Sequence, residues 1–87
     1  MNKYKNELQG ILSLRGIGDR VQYSVIDTLT GCEFIGTAGH GYLVVPKESA
    51  MAHIADKICN CGFKGKLAFY LEEDCEYIEF AEAIKNQ

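Results

Sequence analysis

Hydrophobic residues recur along this chain with two different periods, and the changes of period predict where helices and strands alternate. Residues 3–15 place apolar side chains at helical spacing, which predicts a first helix. Val21, Tyr23 and Val25 then alternate with polar residues, and after the turn at 28–31 the run at 32–35 (CEFI) completes the pattern of a β-hairpin. The first part of the chain therefore predicts one helix followed by two paired strands.

The rest of the chain predicts two further strands and two further helices. The apolar residues at 42–45 are stopped by a proline and predict a buried strand. Apolar residues then repeat at i, i+3, i+4 and i+7, which predicts a helix over about 47–59. A loop over 61–65 and an alternating strand over 67–71 follow, and Asp74 is the expected N-cap of the last helix. The expected apolar face of that helix consists of Tyr77, Phe80, Ala81 and Ile84.

The order α-β-β-β-α-β-α predicts an α+β fold with a three- to four-stranded antiparallel sheet, in a single domain over residues 1–87. Helices would cover one face of this sheet. Ile26, Ile35 and Tyr70 have the opposite parity and would leave the second face partly apolar. Because an exposed apolar sheet face is typical of an interface, the sequence predicts a homodimer.

Charge and composition narrow the classes of partner and compartment. The 87 residues carry a net charge of -3, and segment 67–84 contains six acids and no base, which argues against direct nucleic-acid binding. No run approaches the ~18 apolar residues of a membrane span, and no signal-peptide core follows the first residues, so we expect a cytoplasmic protein. The default state of cysteine there is the reduced thiol, so we expect no structural disulfide among Cys32, Cys59, Cys61 and Cys75.

Two apolar segments end in unusual polar residues and supply the candidate chemistry. In residues 39–46 (GHGYLVVP) an imidazole lies at the mouth of a strand between two glycines, which would allow unusual backbone angles and the close approach of a ligand. The alternative is a flexible turn in which the histidine only makes local hydrogen bonds. The candidate ligand-binding residues are Gly39, His40, Gly41 and Tyr42.

The second segment, residues 70–76 (YLEEDCE), places three consecutive acids before the last helix. Asp74 can cap that helix, which leaves Glu72 and Glu73 free to form a site with His40 for a divalent metal or for polar groups of a ligand. The ligand spacing of established metal sites is missing, so we expect no metal and no cofactor. If the two segments belong to neighbouring strands, His40 can hydrogen-bond Glu72 or Asp74.

Acidic residues continue along the last helix opposite its apolar face, at Glu76, Glu79 and Glu82. Such a stripe can imitate the phosphates of DNA and occupy a basic groove on a partner, or it can be an ordinary solvated helix face. The predicted partner-binding residues are Glu72, Glu73, Glu76, Glu79 and Glu82.

The two segments together resemble those of a known family. Over residues 34–84 the chain is similar to a small domain of unknown function that recurs in bacteriophage, plasmid and conjugative-element proteins, through GHGYLVVP and YLEEDCE with a helix between them. Where the family often carries a Ser-Tyr-rich connector, this chain has residues 59–65 (CNCGFKG). The resemblance implies a mobile-element setting in the cytoplasm of a bacterial host, where small acidic domains are typical of proteins that interfere with host defence.

The residues leave three hypotheses about function open. The first is a non-enzymatic protein that binds and inhibits a host defence protein, of the anti-CRISPR or anti-restriction type. The second is a small-molecule binder that sequesters a nucleotide signal at residues 39–42, although few basic residues are available for phosphate. The third is a divalent-metal-dependent hydrolase that uses His40 with Glu72 and Glu73; because no nucleophile is positioned with them, we expect no enzymatic activity.

Overall fold

A five-stranded antiparallel sheet forms the middle layer of the structure. The computed structural model describes residues 2–86, so both ends of the predicted domain, 1 and 87, lie outside the described residues. The elements are α1 (Lys3–Leu14), β1 (Val21–Ile26), β2 (Glu33–Thr37), β3 (Gly41–Pro46), α2 (Ala52–Ile58), β4 (Phe63–Lys64), β5 (Ala68–Glu72) and α3 (Tyr77–Lys85). The strand order β1-β2-β3-β5-β4 confirms the predicted α+β class, with β4 as a short additional strand. Within the described residues no helix is both long enough and apolar enough to cross a membrane.

Helices cover both faces of the sheet, and each face has its own hydrophobic cluster. On one face α1 packs Leu8 and Leu12 against Ile35 and Tyr70, and all four are fully buried. The cluster on the opposite face, from β3, β5, α2 and α3, includes Leu43, Val45, Ala55, Phe69, Leu71 and Phe80. The expectation that Ile35 and Tyr70 leave a face open is therefore wrong, because α1 covers them. Of the residues that suggested a homodimer, Ile26 alone stays on the surface, 66% exposed.

Three local predictions differ from the structure. Residues 63–64, expected in a loop, form β4 because they pair with β5. The second helix begins at Ala52 rather than near 47, since residues 46–52 form turns with hydrogen bonds between residues three apart. The last helix begins after Glu76, so the prediction of Asp74 as its N-cap is wrong.

A β-bulge in β1 separates residues that the sequence placed on one face. Val21 pairs with Thr37 and Tyr23 with Gly36, so β1 carries one extra residue at this point. Val21 consequently packs against the α1-side cluster, whereas Tyr23 and Val25 lie on the opposite face and are 50% and 52% exposed. The predicted hairpin of β1 and β2 is therefore confirmed, although Val21 does not share a face with Tyr23 and Val25.

A disulfide joins Cys61, before β4, to Cys75, before α3, with their Cα atoms 6.4 Å apart. The expectation of reduced thiols is therefore wrong for this pair, while Cys32 and Cys59 are free and buried. That expectation rested on the cellular compartment, whereas pairing also depends on which loops the fold brings together. Here the loop before β4 lies beside the turn before α3.

Candidate functional site

His40 meets Glu72 at one edge of the sheet, as the sequence predicts. Neighbouring strands β3 and β5 place Tyr42 opposite Glu72, and the backbone N–H of Glu73 donates to the carbonyl of Gly41 (2.9 Å). The Nδ1 atom of His40 lies 3.0 Å from Oε2 of Glu72. The two segments therefore converge, and the predicted contact between His40 and Glu72 is confirmed.

The same edge contains a potential set of metal ligands. Ligand atoms of His40, Glu72 and Asp74 all lie within 4.8 Å of one another. Both Glu72 oxygens are already engaged, Oε2 with His40 Nδ1 and Oε1 with the backbone N–H of Asp74 (2.7 Å). A second group of potential ligands contains the two disulfide sulfurs, which are bonded to each other. The bonds made by Glu72 hold the ends of β3 and β5 together, so these residues have a structural role with or without a metal.

Asp19 fixes the turn that carries His40. Its carboxylate accepts hydrogen bonds from the hydroxyl of Thr37 (2.5 Å) and from the backbone N–H of Gly39 (2.8 Å). The backbone N–H of His40 in turn donates to the Thr37 hydroxyl (2.9 Å). Sequence reasoning missed Asp19, because the Gly-Ile-Gly before it indicates only the end of a helix and its partners lie 18 and 20 residues further on.

The hydrogen bond from Thr37 makes the stability of the fold depend on pH. It lowers the pKa of Asp19 below its ordinary value of 3.8, although burial opposes the shift. A carboxyl group with a lowered folded-state pKa stabilises the fold above its ordinary pKa, and this contribution is lost as the pH falls through the lowered value. We therefore expect Asp19→Asn to reduce the loss of stability on acidification below pH 3.8.

Urea unfolding from neutral pH down to about pH 2 measures this dependence for the two proteins. Thr37→Val, which removes the hydroxyl donor, is the second variant and is expected to flatten the same part of the profile. An unchanged acid slope in Asp19→Asn would contradict the assignment.

Of the four candidate ligand-binding residues, Gly39 and His40 lie in the turn held by Asp19, and Gly41 and Tyr42 are buried at the start of β3. Gly39 and Gly41 do not have positive φ angles, so the unusual backbone angles expected there are absent. Gly41 is required for another reason, because a Cβ atom would overlap the ring of Phe34. Tyr42 is 4% exposed and packs against Phe63, with ring centres 5.6 Å apart. Its ring therefore belongs to the core on the α1 side.

Glu76 is a buried structural carboxylate. It is 2% exposed and accepts hydrogen bonds from four backbone N–H groups. The donors are Asn60, Cys61 (2.6 Å), Gly62 (3.0 Å) and Glu72 (3.1 Å). The prediction that Glu76 belongs to a solvent-facing stripe is therefore wrong, because it lies in the turn before α3 and binds the loop before β4.

The other predicted partner-binding acids differ in exposure. Glu73, Glu79 and Glu82 are exposed, as is Asp74, whereas the Glu72 side chain is 13% exposed and held in the edge contact. Glu73 and Asp74 line a groove between β1 and α3, whereas Glu82 lines a separate depression along α3 together with Lys85. Glu79 faces α2 instead. Two of these four exposed acids, Glu73 and Asp74, therefore border the same groove.

This surface, which we call the open groove, has a volume of about 430 Å³. Its principal lining residues are Val25, Phe34, Glu73, Asp74, Tyr77 and Ile78. Val25 is 52% exposed and Ile78 is 60% exposed. The groove exists because α2 and α3 pack over β3 and β5 and leave the β1 end of that face largely uncovered.

Asp27 and Tyr77 hold the two walls of the open groove together. The Tyr77 hydroxyl donates to the Asp27 carboxylate (2.9 and 3.0 Å), which also accepts from the hydroxyl (2.7 Å) and backbone N–H (3.0 Å) of Thr30. Burial alone would raise the pKa of Asp27, but these hydrogen bonds outweigh it and lower the pKa. The walls are therefore joined by an ionised, hydrogen-bonded carboxylate before any ligand binds.

The open groove is apolar on its floor and acidic at its rim. Among the described residues that line it there is no Lys or Arg. Because Asp27 is already engaged, Glu73 and Asp74 are the carboxylates available to a ligand. A ligand with both apolar and positively charged groups matches this surface.

No family model, curated protein or solved structure matches this chain. The candidate functional residues that the structure brings together are those of the open groove and of the edge where His40 meets Glu72. Sequence reasoning identified Glu73 as a partner-binding acid but assigned Asp74 to a helix cap, and it did not identify Val25 or Ile78 as binding residues.

Proposed function

We propose that this chain is a non-enzymatic protein-binding domain whose open groove takes an apolar, basic segment of a partner protein. The observation that carries the proposal is the exposure of Val25 (52%) and Ile78 (60%) on opposite walls of one groove. Single exposed apolar residues are ordinary, but a contiguous apolar groove with a polar rim is typical of an interaction site.

Burial of the groove residues would supply part of the binding free energy. Complete burial of an exposed Val or Ile contributes about 1.5 to 3 kcal/mol, so covering the exposed parts of Val25 and Ile78 contributes roughly 1 kcal/mol each. The walls need no reordering, since Tyr77 is already bonded to Asp27, and a preorganised surface loses less of this energy on binding.

The acidic rim would favour a positively charged partner segment over a negatively charged one. Glu73 and Asp74 attract Lys and Arg side chains, which increases the association rate at low salt and disfavours acidic competitors. Because the net charge of the whole chain is only -3, most of this attraction comes from the acids of the groove itself. Binding should therefore weaken as salt screens the rim.

A bacterial defence protein remains the hypothesis for the natural partner. It rests on the resemblance to mobile-element proteins and on the acidic surface, and Glu73, Asp74 and Glu82 are the acids that support it. In place of Glu76, which is buried, the apolar residues of the open groove join the proposed contact surface.

Substitution of Ile78 tests the role of the groove. Selection from a random peptide library on the wild-type protein should enrich peptides that combine apolar residues with Lys or Arg. We expect Ile78→Gln to weaken binding of an enriched peptide roughly tenfold, which corresponds to about 1.4 kcal/mol, as measured by fluorescence anisotropy.

The matched control is Leu14→Gln, since Leu14 is 90% exposed at the end of α1 on the other side of the sheet. Its peptide affinity should equal that of the wild type. Equal weakening in both variants, or enrichment of acidic peptides, would count against the proposal.

The two other hypotheses are separated by simple measurements. A nucleotide at 100 times its dissociation constant would raise the stability by about 2.7 kcal/mol in a thermal-shift assay. Metal analysis of the purified protein addresses the hydrolase hypothesis. Bound zinc, manganese or magnesium lost on substitution of His40 would favour it over the protein-binding function.

A further inference from the structure

The outer edge of β1 is open in the described part of the chain. β1 is the first strand of the sheet and pairs only with β2 on its inner side. The backbone N–H of Asp27 donates to the carbonyl of Cys32 (2.8 Å) where the hairpin closes. Because hydrogen-bonded and non-bonded pairs alternate in an antiparallel ladder, the N–H and C=O groups of Ser24 and Ile26 point away from β2.

The sequence of β1 does little to protect this edge. Proteins commonly block edge strands with charged residues, with proline or with a covering element. The six residues of β1, VQYSVI, include no charge and no proline. The bulge between Val21 and Tyr23 twists the beginning of the strand, while Ser24 to Ile26 keep a regular register with β2. The open part of the edge therefore borders the open groove, which Val25 and Ile26 line.

We infer that the partner segment binds as an additional β-strand along this edge, a proposal that rests on the function proposed above. Backbone hydrogen bonds to Ser24 and Ile26 fix the segment. Its alternate side chains then fall on the face of Val25 and enter the open groove, where apolar groups meet Ile78 and basic groups meet Glu73. The expected occupant is therefore an extended segment in which apolar residues are mixed with Lys or Arg.

Charge disfavours a second copy of this chain as the occupant. Edge-to-edge pairing of two β1 strands would bring together two surfaces that carry Glu73 and Asp74, without a lysine or arginine from the described lining of either groove. Each chain also has a net charge of -3. A basic segment can hydrogen-bond the open backbone groups of β1 and also pair with the acids of the rim. A second copy of this chain can only hydrogen-bond the backbone groups.

A synthetic peptide tests the mode of binding. The probe is a six-residue peptide, Val-Thr-Lys-Thr-Val-Thr, matched in length to β1, whose first, third and fifth side chains put valine and lysine on the same face. We expect it to slow amide hydrogen exchange of Ser24 and Ile26 at least tenfold in NMR experiments and to shift the resonances of Ile78. The same peptide with N-methyl groups along one edge should bind at least tenfold more weakly, and the peptide with glutamate in place of its lysine should not bind.

The outcomes separate this inference from the proposed function. Shifts at Ile78 without protection of Ser24 and Ile26, and equal affinity of the N-methylated peptide, would overturn strand addition and leave the groove as a binding site. An absence of shifts at Ile78 with any of the peptides would contradict both. Protection of Ser24 and Ile26 in the free protein that increases with concentration would show that a second copy occupies the edge, and would also overturn the inference.

Discussion

Replacing Glu76 with alanine is expected to lower the free energy of unfolding by roughly 3 kcal/mol or more. The Glu76 carboxylate accepts hydrogen bonds from four backbone N–H groups and is 2% exposed, so water cannot easily replace it. Each donor left unsatisfied in a buried site costs about 1 to 3 kcal/mol, and some of this cost is relieved when the loop relaxes. Urea unfolding monitored by circular dichroism measures the change.

Glu82→Ala is the matched control for the Glu76 experiment. It removes the same side chain from an exposed position of α3, and we expect a change within about 0.5 kcal/mol. Glu76→Gln should fall between the two, because one amide oxygen can still accept hydrogen bonds while the amide nitrogen faces donors. Equal stability of the Glu76→Ala and Glu82→Ala proteins would contradict the structural role of Glu76.

Substitution of Gly62 by alanine is expected to destabilise the fold by roughly 3 kcal/mol. A Cβ atom at Gly62 would overlap the backbone carbonyl oxygen of Tyr70, which lies in the fully buried part of β5 and cannot move like a flexible side chain. Displacement of the loop would also lengthen the hydrogen bond from the Gly62 N–H to Glu76 (3.0 Å). The midpoint of urea unfolding should fall accordingly.

The same substitution, glycine to alanine, is expected to have the opposite effect on stability at Gly10. It lies within α1, and a Cβ atom there would have no neighbour within 4 Å. Since alanine is favoured over glycine by about 1 kcal/mol inside a helix, Gly10→Ala should stabilise the protein by about that amount. Two Gly→Ala variants with effects of the same sign would contradict the assigned contacts.

The order of elements follows from the sequence because each element carries its own period. The helical spacing in α1 and the alternation in β5 survive in the structure, and both depend only on neighbours along the chain. The contact between His40 and Glu72 is also predictable, since it requires only that β3 and β5 be adjacent. Local pattern and strand adjacency therefore account for the fold and for one edge of the sheet.

The open groove was less predictable, because its residues depend on a register shift and on incomplete coverage. A bulge has no signature in the alternation of Val21, Tyr23 and Val25, yet it moves two of them to the other face. Ile78 lies next to the predicted apolar stripe of α3, and its exposure depends on how far that helix extends over the sheet. Such features depend on tertiary packing.

The prediction that Glu76 faces solvent is wrong for a related reason. Its spacing with Glu79 and Glu82 fits one helical stripe, but the helix begins only after it, so the periodicity does not apply. Buried carboxylates are rare unless they are well paired, and the partners here are backbone groups of a distant loop. Because the donors to Glu76 are backbone N–H groups, no pattern of side chains in the sequence indicates them.

The loop before β4 is held by Glu76 and by the disulfide between Cys61 and Cys75, and its surroundings also affect thiol–disulfide exchange. A free and buried thiol, Cys59, lies two residues before Cys61 in the sequence and is a potential attacking group. Burial, together with the negative charge of Glu76, raises the pKa of Cys59 to about 11, so at neutral pH only about one thiol in ten thousand is the reactive thiolate. Burial is thus the main reason to expect slow exchange between Cys59 and the disulfide, and Glu76, which holds the loop, adds to it.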